Sequence, residues 1–273
     1  KNVQNITVIT SKDTVFDSGY GGKVLVGIEE GLKTYGMRLQ LFLVNESGED
    51  ALKGSLFSKD ETAGVILFLC FSQNILNHLK KQRTPAILLN CPQMARGLDH
   101  VIMNDYAGMY DAVKFLIEKG HKHLYYVGSQ YKAYSYSQRF YGFLECVSCH
   151  AGEGVRALVG SADPAAQIFV PEDLIGALKS PDPPTAVVCA SDPLAFEVFS
   201  ALTEHGFRIP DDVSVLGFDN VDQSTWVTPK LTTVHVSKFH LGRVAADTIM
   251  ERVNNAGPHE SRTILLNTRL IER

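Results

Sequence analysis

The sequence predicts an α/β protein built from two Rossmann-like lobes with parallel sheets and a ligand cleft between the lobes. Three observations carry that prediction. Short apolar runs bounded by turn residues alternate with stretches of helical periodicity from Asn5 to Leu266, the mark of βαβ units. The alternation restarts at His121, after Gly120, so there are two such series. A length of 273 residues exceeds one ordinary core and suits two lobes of about 100–150 residues each.

The elements follow in order. Residues 5–10 (NITVIT) read as a first strand, followed by a polar, Gly-rich loop over 11–22. A helix is expected over 23–35, closed by Gly36 as its C-cap. Strands at 39–44, 64–69, 85–90 and 100–103 come next, with a partial helix at 52–58 and a full one at 72–83. Asn104 and Asp105 then open a helix over 107–118. In the second series, strands fall at 124–127, weakly within 152–160, at 185–190 and at 213–216. The helices between them are expected at 136–148, 170–179 and 192–205. One more helix, 241–254, and a last strand, 262–266, complete the pattern. The run at 213–216, short, apolar and bounded by turn signals, suits a strand buried on both faces.

Composition narrows the function. Hydrophobic content of 45% and charged content of 21% are those of a globular protein and exclude wholesale disorder. A net charge of −4, with no helix dense in Lys or Arg, supplies no pull toward phosphate backbones, so this stretch is not expected to bind DNA by itself. The cysteines (Cys70, Cys91, Cys146, Cys149 and Cys189) are odd in number, and four sit in apolar surroundings, which fits buried thiols in a reducing, cytoplasmic compartment. Cys146 and Cys149 have CxxC spacing but no second ligand pair, so no metal is expected. No apolar run approaches 18 residues, so no membrane span is expected.

In open α/β sheets, ligands bind beyond the carboxyl ends of the strands. The polar residues that follow the apolar runs are therefore the candidates: Ser11 to Tyr20, Phe71-Ser72, Asn104-Asp105, Ser129-Gln130, Ser191-Asp192 and Phe218-Asp219-Asn220. Arg139 joins them from the first turns of its helix. A guanidinium and a carboxylate, Arg139 and Asp219, suit hydroxyl or amide groups, and Phe16, Tyr20, Phe71 and Phe218 suit an apolar ring face. The competing reading is that Arg139 pairs with a neighbouring carboxylate, Asp219 caps the next segment and the aromatics are core. Alanine at Arg139 or Asp219 is expected to abolish ligand binding and leave the fold intact. Catalytic signatures (GxSxG, HExxH, GxxxxGK[ST], and GxGxxG after the first strand) are absent, so no enzyme and no cofactor are expected.

Four motifs together resemble the LacI/GalR family of transcription regulators in their effector-binding core. They are Asp105-x-x-Gly108 running on to Gly120-His121 and Tyr126-Val127-Gly128; Ser135-x-x-x-Arg139-x-x-Gly142-Phe143; Pro184 to Asp192 with Ala195; and Ile209-Pro210-x-Asp212 to Asn220, continued by Leu231-Thr232-Thr233-Val234 and Gly242-x-x-Ala245. The resemblance implies the type I periplasmic-binding-protein-like fold. Its first lobe would be residues 4–118 with 237–260, and its second 121–233 with 262–273. It also implies a ligand-gripping arginine at Arg139, an aspartate at Asp219, a further pocket aspartate at Asp105 and a pocket position at Ser191. Three departures bear on the ligand: Ser191-Asp192 stands where the family commonly has Asn-Asp, His235 where it often has glutamine, and Ser18-Gly19-Tyr20-Gly21 where it usually has Asn-Pro-Phe-Phe. The implied partners are a sugar-like effector, a second copy of the chain, and DNA through a helix-turn-helix module absent from this sequence. An exported sugar-binding protein of a transport system is the alternative.

Overall fold

The computed structural model describes residues 5–16, 19–44, 62–70, 72–91, 95, 97–129, 134–160, 169–255, 257 and 260–273. They form two compact units, one from residues 1–103 and 237–266 and the other from 104–236 and 267–273. The chain therefore passes between units three times, at 103/104, 236/237 and 266/267.

The first unit contains β1 (Asn5–Ser11), α1 (Lys12–Phe16), α2 (Tyr20–Lys33), β2 (Arg38–Val44), β3 (Gly64–Phe68), α3 (Gln73–Gln82), β4 (Ala86–Leu89) and β5 (Asp99–Met103). The chain leaves for the second unit with α4 (Asp105–Glu118), β6 (His123–Val127), α5 (Tyr134–Cys149), β7 (Arg156–Val159) and α6 (Pro171–Leu178). It continues there through β8 (Ala186–Cys189), α7 (Asp192–Glu204), β9 (Ser214–Asp219) and β10 (Thr232–His235). It returns for α8 (Lys238–Asn254) and β11 (Thr263–Leu266), and ends in the second unit with β12 (Arg269–Ile271).

Among the described residues the first sheet runs β11-β5-β4-β3-β1-β2 and the second β12-β10-β9-β8-β6-β7. Every neighbouring pair is parallel except β10 with β12. The inner strands β3, β4, β6 and β8 are buried along their whole length, because helices cover both faces of a parallel sheet. Edge strand β7 is mostly exposed and presents Leu158 and Val159 to solvent.

Four expectations need correcting. The helix opened by Asp105 belongs to the second unit: α4 packs along α5, where a Cβ on Gly142 would come within 2.3 Å of the Tyr106 carbonyl oxygen. Strand β11 belongs to the first unit, because it extends that sheet by pairing with β5, Thr263 opposite His100. Strand β12, which the sequence does not announce, lies antiparallel to β10. The stretch after β1 is helical over Lys12–Phe16, with Ser11 Oγ accepting from the Thr14 amide (3.2 Å), and α2 begins at Tyr20 instead of residue 23. The partial helix expected at 52–58 lies outside the described residues.

Candidate functional site

The carboxyl end of the second sheet gathers a charged cluster. Helix α4 opens with Asn104 as N-cap, its Oδ1 accepting from the Ala107 amide (3.3 Å), which sets Asp105 in the first turn, where a helix N-terminus favours a carboxylate. Helix α5 carries Arg139 on its buried face, and the bare Gly142 one turn later lets α5 approach α4 closely enough for the two side chains to meet. Arg139 Nε donates to Asp105 Oδ1 (2.8 Å), Nη2 to Asp219 Oδ1 (3.0 Å) and Nη1 to the Ala190 carbonyl just past β8 (2.7 Å). The guanidinium lies 3.8 Å from the centre of the Phe218 ring.

Asp219 ends β9 in an unusual backbone. It has φ of 112° and Asn220 has φ of 51°, two consecutive residues in the left-handed half of the map, a costly arrangement that persists only where neighbours enforce it. The enforcing neighbours are visible. The Asn220 amide donates to Thr233 Oγ1 (3.3 Å), and the Val221 amide to Asp192 Oδ2 (2.8 Å). Thr233 Oγ1 in turn donates to Asp192 Oδ1 at 2.5 Å. Asp192, fully buried at the start of α7, thus pins the turn that presents Asp219. Gly217 is needed there, since a Cβ would fall 2.3 Å from Asp192 Oδ1. Beyond the turn, Asn220 Nδ2 lies 3.0 Å from His235 Nδ1, and Asn220 Oδ1 accepts from Ser224 Oγ (3.2 Å) and Arg273 Nη2 (2.6 Å).

The electrostatics follow from one cation serving two carboxylates. Burial pushes the Asp105 carboxyl up; Arg139 opposes this and Asp219 adds to it, and the group comes to about 6. Burial disfavours the charged form of Arg139, but Asp219 and Asp105 outweigh it and hold the guanidinium protonated.

The first unit carries its own polar set, past β4 and at the starts of α2 and α8. Asn90, just past β4 with φ of 50°, donates from Nδ2 to the Tyr20 hydroxyl (2.7 Å). The buried Lys238, at the start of α8, places Nζ 5.8 Å from the centre of the Tyr20 ring.

Of the residues singled out from the sequence, Asp105, Arg139, Asp219 and Phe218 come together in the second unit, with Ser191 next to the Ala190 carbonyl that Arg139 grips. Phe218 is fully buried with its face against the guanidinium, so it supports Arg139 and does not offer a face to a ligand. Arg139 is itself only 3% exposed, and the competing reading, that it pairs with neighbouring carboxylates, is correct in this structure. An alanine there therefore unpairs a buried carboxylate, so the expectation of an intact fold does not carry over to that variant. Tyr20 lies in the first unit at the start of α2. Phe16 ends α1, and Phe71 lies outside the described residues. Asn90, Lys238 and Arg273 were missed. Asn90 was within reach, because the polar-residue-after-a-strand rule applied to residues 85–90 ends on it.

Cys70, Cys91, Cys146 and Cys189 are buried, Cys149 is exposed, and all five thiols are free. Burial raises the Cys91 thiol to about 12, which makes it a poor nucleophile. Among the described residues no group of three or more His, Cys, Asp or Glu is placed to hold a metal, and no helix is long and apolar enough to cross a membrane.

Residues 113–273 match the family model of the periplasmic binding protein-like domain. The HTH-type transcriptional repressor PurR of Mannheimia succiniciproducens is 31% identical over 252 residues, covering 88% of this chain and 72% of that protein. The chain belongs to the LacI/GalR family. It is an effector-binding regulator domain of that family, and the exported transport protein is set aside. A solved LacI family regulator from Enterococcus faecium with bound ribose is similar at a TM-score of 0.75 and 25% identity, covering 98% of this chain and 97% of that one. The regulator CelR in complex with cellobiose shares the fold at a TM-score of 0.81 and 20% identity, over 100% of this chain and 84% of that one.

Proposed function

We propose that this LacI/GalR domain binds a small neutral polar effector, a sugar or sugar derivative, through Asp219 and Arg139 of the second unit. One observation carries the reading: a buried guanidinium held between two carboxylates at the end of β9, with Asp219 presented on an enforced left-handed turn. Two carboxylates accept more hydrogen bonds than one guanidinium donates, and sugar hydroxyls are the complementary donors. The ribose and cellobiose bound to the similar regulators support the class. Ser191 and Asp105 complete the polar wall, and Phe218 backs it. No catalysis or cofactor is assigned.

The response is a population shift, in which the ligand stabilises one arrangement by its differential affinity. The chain acts as a cytoplasmic homodimer, and DNA is read by a helix-turn-helix module outside these 273 residues. The HTH-type name of the relatives supports the DNA partner, and Trp226, 72% exposed, supports a protein contact. Thermal-shift and calorimetric screening with ribose, cellobiose, other free sugars and nucleobases tests the ligand class. A sugar that raises the melting temperature, and does so less in Asp219→Asn, is the expected result. A nucleobase that binds where no sugar does would replace the sugar reading. Analytical ultracentrifugation tests the dimer.

A further inference from the structure

The second unit holds a separate pocket of about 220 Å³. Ser214 and Thr232, which open β9 and β10, line it together with Leu116 and Lys119 from the end of α4. It therefore sits at the amino ends of these strands, whereas Asp219 and Asn220 stand at the carboxyl end of β9. Phe115, Phe199, Ile209 and Pro229 form the apolar part of its wall. Its charges are mostly positive: Lys119, Lys230 and Arg273 against the one carboxylate of Glu272, which Lys119 pairs at 2.7 Å. Arg273 reaches further. Its Nη1 donates to the Leu231 carbonyl (2.7 Å) and Ser224 Oγ (3.2 Å), and its Nη2 to Asn220 Oδ1 (2.6 Å). One side chain thus lines this pocket and holds the residue next to Asp219.

We propose that this pocket is a second small-molecule site, for a compact organic monoanion with an apolar body such as an aromatic carboxylate. The aromatic and proline walls cover the body, and Lys230 and Arg273 receive the anion. The volume is below the roughly 300–1,000 Å³ of drug-sized sites, so it takes a single ring with its acid group. An anion on Arg273 competes with Asn220 Oδ1 for the guanidinium and so acts on the turn that presents Asp219. That links the two sites, and the linkage is reciprocal.

The test titrates the whole chain with benzoate, and with benzyl alcohol as its neutral counterpart, followed by amide NMR. Benzoate is expected to shift the Phe199, Leu216 and Thr232 amides at millimolar concentration, and benzyl alcohol to do so at least about fivefold more weakly. Lys230 is exposed on a loop, so Lys230→Ala leaves the fold alone and is expected to weaken benzoate by a similar factor. Equal binding of both compounds, shifts elsewhere, no binding, or indifference to Lys230→Ala would each overturn the site. None of these readouts uses the effector, so a failed sugar screen and a failed benzoate titration are separate results.

Discussion

Each unit buries an aspartate against arginine, and the two clusters have opposite stoichiometry. In the first, Asp99 takes Arg252 Nε (2.8 Å) and Nη2 (2.6 Å), the Arg262 amide (3.1 Å) and, at 3.4 Å, Arg262 Nε. Two guanidiniums surround one carboxylate, tying α8 and the entry to β11 onto β5. Burial pushes the Asp99 carboxyl up, but these donors outweigh it and hold the group below the ordinary carboxylate range. In the second cluster one guanidinium serves Asp105 and Asp219, and Asp105 rises to about 6. A carboxylate with donors in excess is a structural staple. The guanidinium between two carboxylates is the group proposed above to meet a ligand, and Asp219 there sits on a left-handed turn.

Four measurements break or sharpen this contrast. Arg139→Ala is expected to have the largest effect, because it leaves two carboxylates without their cation in a buried site. It should cost about 3–5 kcal/mol in urea unfolding and abolish effector binding. Unchanged stability would show that Arg139 is not the keystone of the second cluster. Asp99→Ala follows at about 3 kcal/mol, somewhat less because water can reach Arg262. Its effector affinity should stay at the parent value, and a matching loss of affinity would erase the distinction between staple and site.

The pH response comes next, and the clusters should differ in sign. Asp105 has a raised folded pKa, so between about pH 4 and 6 the unfolded chain ionises first, and stability falls by about 2 kcal/mol as pH rises. Asp99 has a lowered folded pKa, so its contribution is present above the ordinary carboxylate pKa and is lost as pH falls through the folded value. Urea midpoints from pH 4 to 7 should show the Asp105 slope in the parent and its absence in Asp105→Asn; a slope that survives the substitution belongs to another group. The smallest effect is Asp219→Asn, whose side chain is partly exposed and keeps its shape. Effector affinity should drop about tenfold in calorimetry, with stability changed by less than about 1 kcal/mol. A larger loss of stability than of affinity would make Asp219 a second staple.

Much of this was legible in the chain itself. Residues 64–69, 85–90 and 185–190 announce strands because a buried parallel strand needs an unbroken apolar run, and the polar residue after it marks the ligand end. That rule, with the family motifs, named Asp105, Arg139 and Asp219. It did not reveal that the two carboxylates share the one guanidinium of Arg139. Asp105 is 34 positions from Arg139, and Asp219 is 80. Nothing local in α4 or β9 reports which helix will lie beside them. Phe218 and Tyr20 show the same limit: both are aromatics near strand ends, yet packing turned one into a platform under Arg139 and the other into the acceptor of the Asn90 amide.

By itself, then, the sequence determined the two series of strands and helices, the family, and the short list of polar side chains at strand ends. Each of these is written in periodicity, turn residues or motifs a few positions long. Only the tertiary structure decided where α4, β11 and β12 belong and how the carboxylates divide their cations. Strands β11 and β12 are four and three residues long and not fully buried, so their pairing, parallel to β5 and antiparallel to β10, depends on the partner they meet. The ratio of arginines to aspartates in each cluster depends likewise on which elements pack together, because ion pairs form across tens to hundreds of residues of chain.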